Sequence, residues 1–296
     1  MKAALLPDRG VVKVVGDDAR KFLNGLLTAD MDTVSPETAR FAALLTPQGK
    51  IIVDCIVAEA PVDDGGGFFI DCPRALVTNF VAKLNFYKLR AKIAVEDLSE
   101  TLGVLAAWEG GCTSAHGLCY ADPRLPALGL RMMIPPHLAK DSAADLGATL
   151  VDAAEYEAHR IALGVPRGGS DFRYSDAFPH EADMDQLGGV DFAKGCYVGQ
   201  EVVSRMEHRG NARTRIVGVT FDGFAPDAGA PVMANDKALG TLGSSAAGHG
   251  IALLRLDRVA DALAAGRKIS AGGVALRVVK PAWAKFDFSS AAKAAE

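Results

Sequence analysis

The segment from residue 40 to residue 60 most constrains the fold of this chain. Two apolar runs rich in β-formers, RFAALLT and IIVDCIVAEA, flank the short sequence PQGK. Pro47 sets the φ angle of a tight turn, and Gly49 supplies a positive φ without steric cost. The segment therefore predicts a β-hairpin, and a hairpin belongs to an antiparallel sheet.

Strand and helix signals alternate around this hairpin. VVKVV alternates as a strand, and ARKFLNGLLT follows as a helix that Asp17 or Asp18 can cap. A second, similar succession follows residue 98, and neither contains a GxGxxG or GxxxxGKS/T phosphate loop. We predict an α+β protein with two antiparallel units, at 1–98 and 99–210.

Short strands dominate after residue 210. The runs TRIVGVTFDG, APVMANDKALGTLGSS, GIALLRL and KISAGGVALRVV are separated by Gly, Pro and Asn-Asp turns. Regularly spaced short strands are typical of a small barrel or sandwich. We predict a β-barrel at 211–285 and a flexible tail at 286–296.

Charge and hydropathy limit the location and the partners. The net charge of −4 disfavours nucleic-acid or membrane binding through bulk charge. No apolar run reaches the ~20 residues that span a bilayer, and the first residues lack the apolar core of a secretory signal. We therefore predict a cytoplasmic protein without membrane or direct nucleic-acid contacts.

Five cysteines occur, at Cys55, Cys72, Cys112, Cys119 and Cys196. Free thiols are expected in a reducing cytosol. Cys55 and Cys72 lie in predicted strands, where a cysteine acts as a small buried hydrophobe. Cys112 and Cys119 flank His116, but their spacing does not match a structural zinc site, so we predict no resident metal.

The run DFAKGCYVGQEVVSRMEHRG contains the strongest candidate for chemistry. Gly195 and Gly199 bracket Cys196 and indicate a tight loop before a helix that ends at Gly210. Lys194 and the helix N-terminus would both favour the thiolate of Cys196. A buried cysteine selected for its size is the alternative.

The predicted helix after this loop adds two features. Glu201 and Arg205 are one turn apart and can pair on a surface. His208 lies too far along the helix to act as a base for Cys196, so a Cys–His nucleophilic pair is not expected.

KGCYVGQE, followed by SR, resembles the signature of the YgfZ family, folate-binding proteins that act late in iron–sulfur cluster assembly. RGVVKVVGDDARKFLNGLLTADM, ALLTPQGKIIVDCIV, YKLRAKIAVED and the run from HRIALG to GGVDF resemble further blocks, so the resemblance covers nearly the whole chain. That family is similar to the T-protein of glycine cleavage, a tetrahydrofolate-dependent aminomethyltransferase. The resemblance implies two ferredoxin-like α+β units and a C-terminal β-barrel around a central folate cavity.

The chain departs from the T-protein pattern at three places. Cys55 follows Asp54 where the T-protein has two adjacent acids, and Ala162 stands where it has a glutamate that holds the pterin. A carboxylate accepts two parallel N–H bonds from an amino-pteridine, so its loss weakens the aminomethyltransferase interpretation. Glu181 is a candidate substitute. The T-protein lacks the cysteine loop, so we expect the chemistry of this chain to differ from that of the T-protein at Cys196.

The resemblance implies a folate-binding accessory factor for assembly or repair of 4Fe–4S clusters. Its partners would be scaffold or carrier proteins and client enzymes, including tRNA-modifying radical-SAM enzymes. We predict chemical roles for Cys196, which would contact iron transiently or carry out thiol chemistry, for Lys194, which would hold the thiolate, and for Asp54. Residues predicted to bind tetrahydrofolate or a derivative are Tyr197, Gly199, Gln200, Glu201, Arg205, Glu181, Arg90, Thr28 and Asp30.

Two other functions stay open. The first is a one-carbon transferase or demethylase with Asp54 as its general base, and the second is a non-catalytic folate-sensing module. Arg90 could bind the anionic tail of folate or be a solvated surface residue. Tyr87 could stack on a pterin or pack in the core, and Thr28 and Asp30 could cap turns. We expect an assembly factor rather than an enzyme.

Overall fold

The computed structural model describes residues 1–110, 117–209 and 212–288. In these ranges the chain forms two five-stranded sheets and a closed six-stranded barrel. The predicted α+β class is confirmed. Within the same ranges no helix is both long enough and apolar enough to cross a bilayer.

The two sheets use the first ten strands. These are β1 (Lys2–Leu6), β2 (Arg9–Val15), β3 (Arg40–Leu45), β4 (Ile51–Glu59), β5 (Phe68–Pro73), β6 (Ala94–Asp97), β7 (Gly103–Trp108), β8 (Leu118–Ala121), β9 (Leu130–Ile134) and β10 (Thr149–Leu150). The helices of this part are α1 (Ala19–Leu26), α2 (Val77–Lys88), α3 (Ala139–Asp145) and α4 (Ala153–Ala162).

The first sheet has the strand order β3-β4-β5-β2-β6. Its hairpin β3–β4 is confirmed, with Ala43 opposite Asp54 and Gly49 at φ +80 in the turn. Leu23 of α1 and Phe80 of α2 are fully buried in the core beneath this sheet. Both helices therefore pack on this sheet through these buried side chains.

Asp18 stands at the N-cap position of α1 but does not cap it. Its side chain makes no bond to the helix and instead accepts the backbone N–H of Lys92 at 2.7 Å. The carboxylate thus ties the start of α1 to the segment that precedes β6.

The second sheet has the order β10-β1-β7-β9-β8. Its strand β1 comes from the first six residues, which pair antiparallel with β7 and parallel with β10. The first six residues, which the prediction placed in the unit 1–98, therefore lie in the second sheet. An apolar run does not by itself indicate which strand it will pair with.

The chain divides into two compact units. Met1–Tyr156 and Leu187–Gln200 form one, and Glu157–Gln186 and the chain from Glu201 form the other. The cysteine loop therefore belongs to the unit that holds the two sheets, whereas the boundary at 99–210 grouped it with the second sheet alone.

The barrel of the second unit closes in the order β11-β14-β13-β12-β15-β16. Its strands are β11 (Thr214–Thr220), β12 (Pro231–Ala234), β13 (Lys237–Ala246), β14 (His249–Arg255), β15 (Ile269–Ala271) and β16 (Val274–Val279). Two helices, α5 (Gln200–Arg209) and α6 (Leu256–Ala264), precede and interrupt it. α6 has nine residues and lies between β14 and β15.

A chain of buried ion pairs joins the two sheets of the first unit. Asp71 of β5 accepts from Arg9 of β2 at 2.5 Å and from Arg131 of β9 at 2.5 Å. Arg131 also donates to Asp122 at 2.8 Å. Burial opposes ionisation of Asp122, but Arg124 and Arg131 hold its pKa below the usual range. Each buried charge therefore has an opposite partner, as burial demands.

Loss of one charged residue from these buried ion pairs should lower the stability of the protein strongly. Arg131→Met leaves Asp71 and Asp122 buried with one partner fewer, and we expect a loss of ~3–5 kcal/mol in the free energy of unfolding. Urea denaturation measures it. The control is Lys2→Met, which removes the exposed pair with Glu155 and should leave the midpoint nearly unchanged. Equal effects of the two variants would refute the assignment of this network as the link between the sheets.

Candidate functional site

The segment from residue 187 to residue 200 is tied to the end of α1 by Thr28. The Thr28 carbonyl accepts the N–H of Asp191 at 2.9 Å. Its hydroxyl donates to the Gly189 carbonyl at 2.5 Å and accepts the N–H of Ala43 at 2.8 Å. Thr28 is fully buried. Its predicted folate contact is therefore corrected to a structural role, since no part of the side chain is open to a ligand.

Lys194 points inward and is buried. Its ammonium donates to the carbonyls of Asn24, Leu27 and Ala29 at 2.7, 2.8 and 2.8 Å. α1 ends at Leu26, so these carbonyls lie where a helix leaves acceptors without intrahelical donors. An ammonium has three donors, and all three are used. Lys194 therefore fastens the loop to α1, and its predicted role in holding the Cys196 thiolate stays a prediction.

Tyr197 supports this lysine from the other side of the cysteine. Its ring centroid lies 5.3 Å from the Lys194 ammonium, a cation–π distance. Burial raises the pKa of Tyr197 to about 12, with a smaller contribution from Asp191. Burial also lowers the pKa of Lys194 to about 8, against the opposing charges of Asp30 and Asp191. Tyr197 is thus a buried packing residue rather than an open face for a pterin.

The two glycines of the loop differ in what they require. Gly199 has φ +84, and a Cβ there would lie 2.6 Å from the Thr46 carbonyl oxygen and 3.0 Å from Leu45. The loop is therefore pressed against the turn of the β3–β4 hairpin, and glycine is needed for that approach. A Cβ at Gly195 would meet no atom within 4 Å. Gly199 therefore closes a packing contact with the hairpin turn, and its predicted folate contact stays a prediction.

Cys196 is exposed and free. Its neighbours Lys194 and Tyr197 both turn inward, so the loop presents the thiol between two anchored side chains. The alternative of a buried, gap-filling cysteine is wrong. The chemical role of the thiol stays a prediction.

The other cysteines behave differently. Cys55 and Cys72 are buried as predicted, and burial raises the pKa of both, that of Cys72 to about 12. Cys119 is disulfide-bonded, which corrects the expectation of a free thiol there, since a compartment argument does not fix local geometry. Cys112 and His116 lie outside the described residues.

The residues after the loop form α5. Gln200 is half-buried, and its N–H donates to the Tyr197 carbonyl at 3.3 Å. Glu201 and Arg205 form the predicted surface pair at 2.5 Å. The predicted cap at Gly210 lies outside the described residues. The folate contacts assigned to Gln200, Glu201 and Arg205 stay predictions.

Two acidic candidates have local partners. Asp30 begins a short 3-10 turn, and its side chain accepts the N–H of Asp32 at 3.0 Å. Asp54 on β4 is 8% exposed and interacts electrostatically with Arg9. Asp30 therefore fits the turn-capping alternative, and Asp54 lies beside the buried ion pairs.

Glu181 belongs to the second unit. Its carboxylate accepts the N–H of Phe178 at 2.9 Å and lines a cavity of about 240 Å³ together with Arg213 and Arg255. Arg215 of β11 fixes this segment by donating to the His180 carbonyl at 3.0 Å and to two aspartates. A polar cavity with two guanidinium groups suits an anion better than a neutral pterin.

A cluster that the sequence did not indicate lies beside Glu181. Single ligand atoms of His180, Asp185 and Glu207 lie within 4.8 Å of one another. Arg215 already donates to both carboxylate oxygens of Asp185. A metal ion there would compete with a guanidinium, and the cluster is better described as an ion-pair network.

Arg90 and Tyr87 lie together. Both line a cleft of about 420 Å³ between α1 and the end of α2, and Lys21 and Lys88 line it as well. The sequence did not indicate these two lysines, because residues 21 and 88 approach each other only when α1 and α2 pack on the same sheet.

Comparison with known proteins shows the family to which the chain belongs. The family model of the CAF17 C-terminal β-barrel domain matches residues 213–286. The human protein named iron–sulfur cluster assembly factor IBA57, mitochondrial, is 30% identical across 94% of this chain and 84% of its own length. The chain belongs to the IBA57 family. The named members of this family are iron–sulfur cluster assembly factors, as the YgfZ resemblance implied, and the YgfZ resemblance itself stays a prediction.

A fungal IBA57 homologue from Mycosarcoma maydis is 36% identical over 74% of the chain and 57% of its own length. The chain spans between 54% and 58% of the length of the first four fungal IBA57 homologues. A crystal structure of aminomethyltransferase T of the glycine cleavage system from Bartonella henselae has a TM-score of 0.75 at 16% identity, over 97% of this chain and 87% of the other. This confirms the predicted T-protein-like fold.

These IBA57 relatives are named mitochondrial, and this overturns the cytoplasmic prediction. That prediction rested on the absence of an apolar secretory signal. Mitochondrial targeting uses a different, amphipathic and Arg-rich signal, which a search for apolar cores does not detect.

The contrast between the two loop glycines is testable. Gly199→Ala forces a positive φ on alanine and a clash with the hairpin turn, and we expect destabilisation by ~2–4 kcal/mol. Gly195→Ala, four residues earlier, should change stability by less than ~0.5 kcal/mol. Chemical denaturation measures both. Similar losses in the two variants would contradict the packing of Gly199 on the turn.

The contribution of Lys194 to the free energy of unfolding should depend on pH. Its folded-state pKa is about 8 against 10.5 in the unfolded chain, so between these values the unfolded chain binds more protons. Stability contributed by Lys194 therefore rises with pH through this window. We expect Lys194→Met to destabilise by ~1–3 kcal/mol at neutral pH, because three carbonyls lose their donor, and by more near pH ~10.

Denaturation of both proteins across the pH range measures this difference. The difference in the free energy of unfolding between the native chain and Lys194→Met could instead shrink or stay constant above pH ~8. That result would mean that the three carbonyls stabilise the protonated ammonium and that the pKa of Lys194 is not lowered in the folded protein.

Proposed function

We propose that this protein acts in the assembly or repair of iron–sulfur clusters through the thiol of Cys196. The observation that carries the proposal is an exposed, free cysteine on a loop anchored on both sides of it. Lys194 fastens the loop to α1, and Gly199 closes it against the β3–β4 turn. Membership of a family of named cluster assembly factors supports it.

The number of thiols limits what Cys196 can do. Clusters are held by thiolates, usually four. Among the described residues, the other free cysteines, Cys55 and Cys72, are buried. Cys196 alone supplies one ligand, so a cluster at this loop would be completed by groups from another protein. The cluster is thus a transient cargo, and scaffold, carrier or client proteins are the proposed partners.

Tetrahydrofolate or a derivative is the proposed small ligand. The likeness of the fold to an aminomethyltransferase supports it. The residues fit only in part: Thr28, Tyr197 and Gly199 are committed to packing, whereas Glu181 and Arg90 line cavities. A folate bound by such residues would supply one-carbon or redox chemistry, and the chain would contribute binding and charge.

The proposed clients are 4Fe–4S enzymes, including tRNA-modifying radical-SAM enzymes. This finer proposal rests on the resemblance of KGCYVGQE to the YgfZ signature. A one-carbon transferase is the weaker candidate, because its expected base, Asp54, is buried beside the Arg9 charge.

Complementation tests the role of the thiol. In cells lacking the endogenous gene, the wild-type chain should restore the activity of a 4Fe–4S enzyme, and Cys196→Ala should lose at least ~90% of that rescue, because no neighbouring thiolate can replace the ligand. Cys72→Ala removes a buried thiol and serves as the matched control, with protein level checked by immunoblot.

Full rescue by Cys196→Ala would exclude a role of this thiol in cluster assembly. Loss of rescue by Asp54→Asn with normal protein level and retained rescue by Cys196→Ala would instead favour the transferase.

A further inference from the structure

The end of α2 exposes two large apolar side chains that the proposed function does not use. Phe86 lies in the last turn of the helix and is 74% exposed, and Leu89, just after the helix, is 89% exposed. The Phe86 ring packs edge-on against Tyr87, with 5.4 Å between the ring centroids. Both side chains therefore project from the same end of one helix, unlike the scattered single apolar residues of an ordinary surface.

The backbone at Leu89 is unusual for a leucine. Leu89 ends α2 with φ 45 and ψ −104, and a positive φ is uncommon for a residue with a bulky side chain. The exposure of the side chain and the strained backbone both oppose stability. Strained residues are concentrated at sites that bind other molecules, so Leu89 is a candidate contact residue.

Positive charge surrounds this apolar pair. From residue 72 to residue 95 the chain contains five Lys and Arg residues and no Asp or Glu, although its net charge is −4. Arg74 pairs with Glu100. The side chains of the other four make no hydrogen bond or ion pair with any residue in the described ranges: Lys83, Lys88, Arg90 and Lys92. We call these four cations, together with Phe86 and Leu89, the α2 tip.

The start of α1 brings charges of both signs next to the α2 tip. Asp18 and Lys21 line the cleft between α1 and the end of α2. The Asp18 carboxylate accepts the backbone N–H of Lys92 at 2.7 Å, and the charges of Asp18 and Lys21 offset each other. Even with the exposed Asp17 counted as well, the α2 tip keeps an excess of positive charge.

The residue types of the α2 tip select the class of partner. Three of its four cations are lysines, and protein interfaces are depleted in lysine, because fixing this long side chain costs conformational entropy. Anionic lipid headgroups attract lysine and arginine without requiring a fixed geometry. Leu89 has no ring to stack on a nucleic-acid base, whereas leucine and phenylalanine both enter the boundary between headgroups and acyl chains. Projecting apolar side chains with a basic rim are therefore typical of a membrane-surface contact.

We infer that the α2 tip is a docking surface for a membrane that contains anionic phospholipids. Phe86 and Leu89 enter the headgroup boundary, and the four cations contact lipid phosphates. The expectation of no membrane contact rested on the net charge, which averages over the whole chain and does not describe one local surface. The inference goes beyond the proposed function and depends neither on Cys196 nor on a folate ligand.

Sedimentation with sucrose-loaded vesicles tests the cations. The native chain should bind vesicles of phosphatidylcholine with about one third phosphatidylglycerol, and should bind pure phosphatidylcholine at least ~10-fold more weakly. A variant without three lysines of the α2 tip should have a partition coefficient ~10- to 100-fold lower on the anionic vesicles; its changes are Lys83→Gln, Lys88→Gln and Lys92→Gln. The matched control removes three exposed lysines elsewhere and should bind as the native chain does; its changes are Lys140→Gln, Lys268→Gln and Lys285→Gln. Added salt should weaken binding of the native chain.

The same assay tests the apolar side chains. Phe86→Ser combined with Leu89→Ser should lower the partition coefficient on the anionic vesicles ~10- to 100-fold, because both side chains then leave the headgroup boundary. The control combines Val62→Ser with Phe224→Ser, at residues that are 89% and 95% exposed outside the α2 tip, and should bind normally. Urea denaturation of each variant should give a native-like midpoint, since the replaced side chains are exposed or half-buried.

Fluorescence tests insertion directly. The emission of Phe86→Trp should shift to shorter wavelength on anionic vesicles, and that of Phe224→Trp should not. Equal binding of the native chain and the α2-tip variants, or no binding to anionic vesicles, would overturn the inference. Binding of single-stranded RNA that the lysine variant loses, without binding of vesicles, would assign the surface to nucleic acid instead. Complementation by Cys196 variants decides the cluster function independently.

Discussion

The ammonium of Lys194, held by three carbonyls at the end of α1, is the interaction on which the candidate site depends. It satisfies acceptors that the end of a helix leaves without donors, and it does so from a segment about 165 residues further along the chain. The lysine thereby fixes the loop that carries Cys196. The ammonium of Lys194, which the sequence suggested for chemistry, anchors the loop. Cys196 lies exposed between the buried side chains of Lys194 and Tyr197.

The same unit depends on a second set of charges. Asp71 connects β2 and β9 through Arg9 and Arg131, so that the two sheets share buried ion pairs. Asp54 lies at the edge of this network. An acid that could act as a base in a transferase is therefore buried among structural charges, while Cys196 is exposed. This arrangement favours an assembly factor built on an enzyme-like fold.

The hairpin, the helix α1 and the barrel strands could be predicted, because each follows from a local pattern of apolar and turn residues. The tightness of the loop at Gly199 and the surface pair of Glu201 with Arg205 were also predictable from spacing. The placement of β1 in the second sheet was missed, since its partners β7 and β10 are distant in sequence. The anchoring of Lys194 at the end of α1 was missed, because the acceptor carbonyls lie about 165 residues earlier in the chain.

The sequence by itself determined the α+β class, the barrel and the position of a single cysteine in a glycine-bounded loop, because these depend on residue type and short-range periodicity. Only the tertiary structure decided which side chains turn inward, because hydrogen-bond acceptors and opposite charges come from remote segments. The structure thus assigned Thr28, Tyr197 and Lys194 to the scaffold. It also brought Lys21, Lys88 and Arg90 to one cleft, since packing of two helices on a common sheet sets distances that spacing along the chain does not encode.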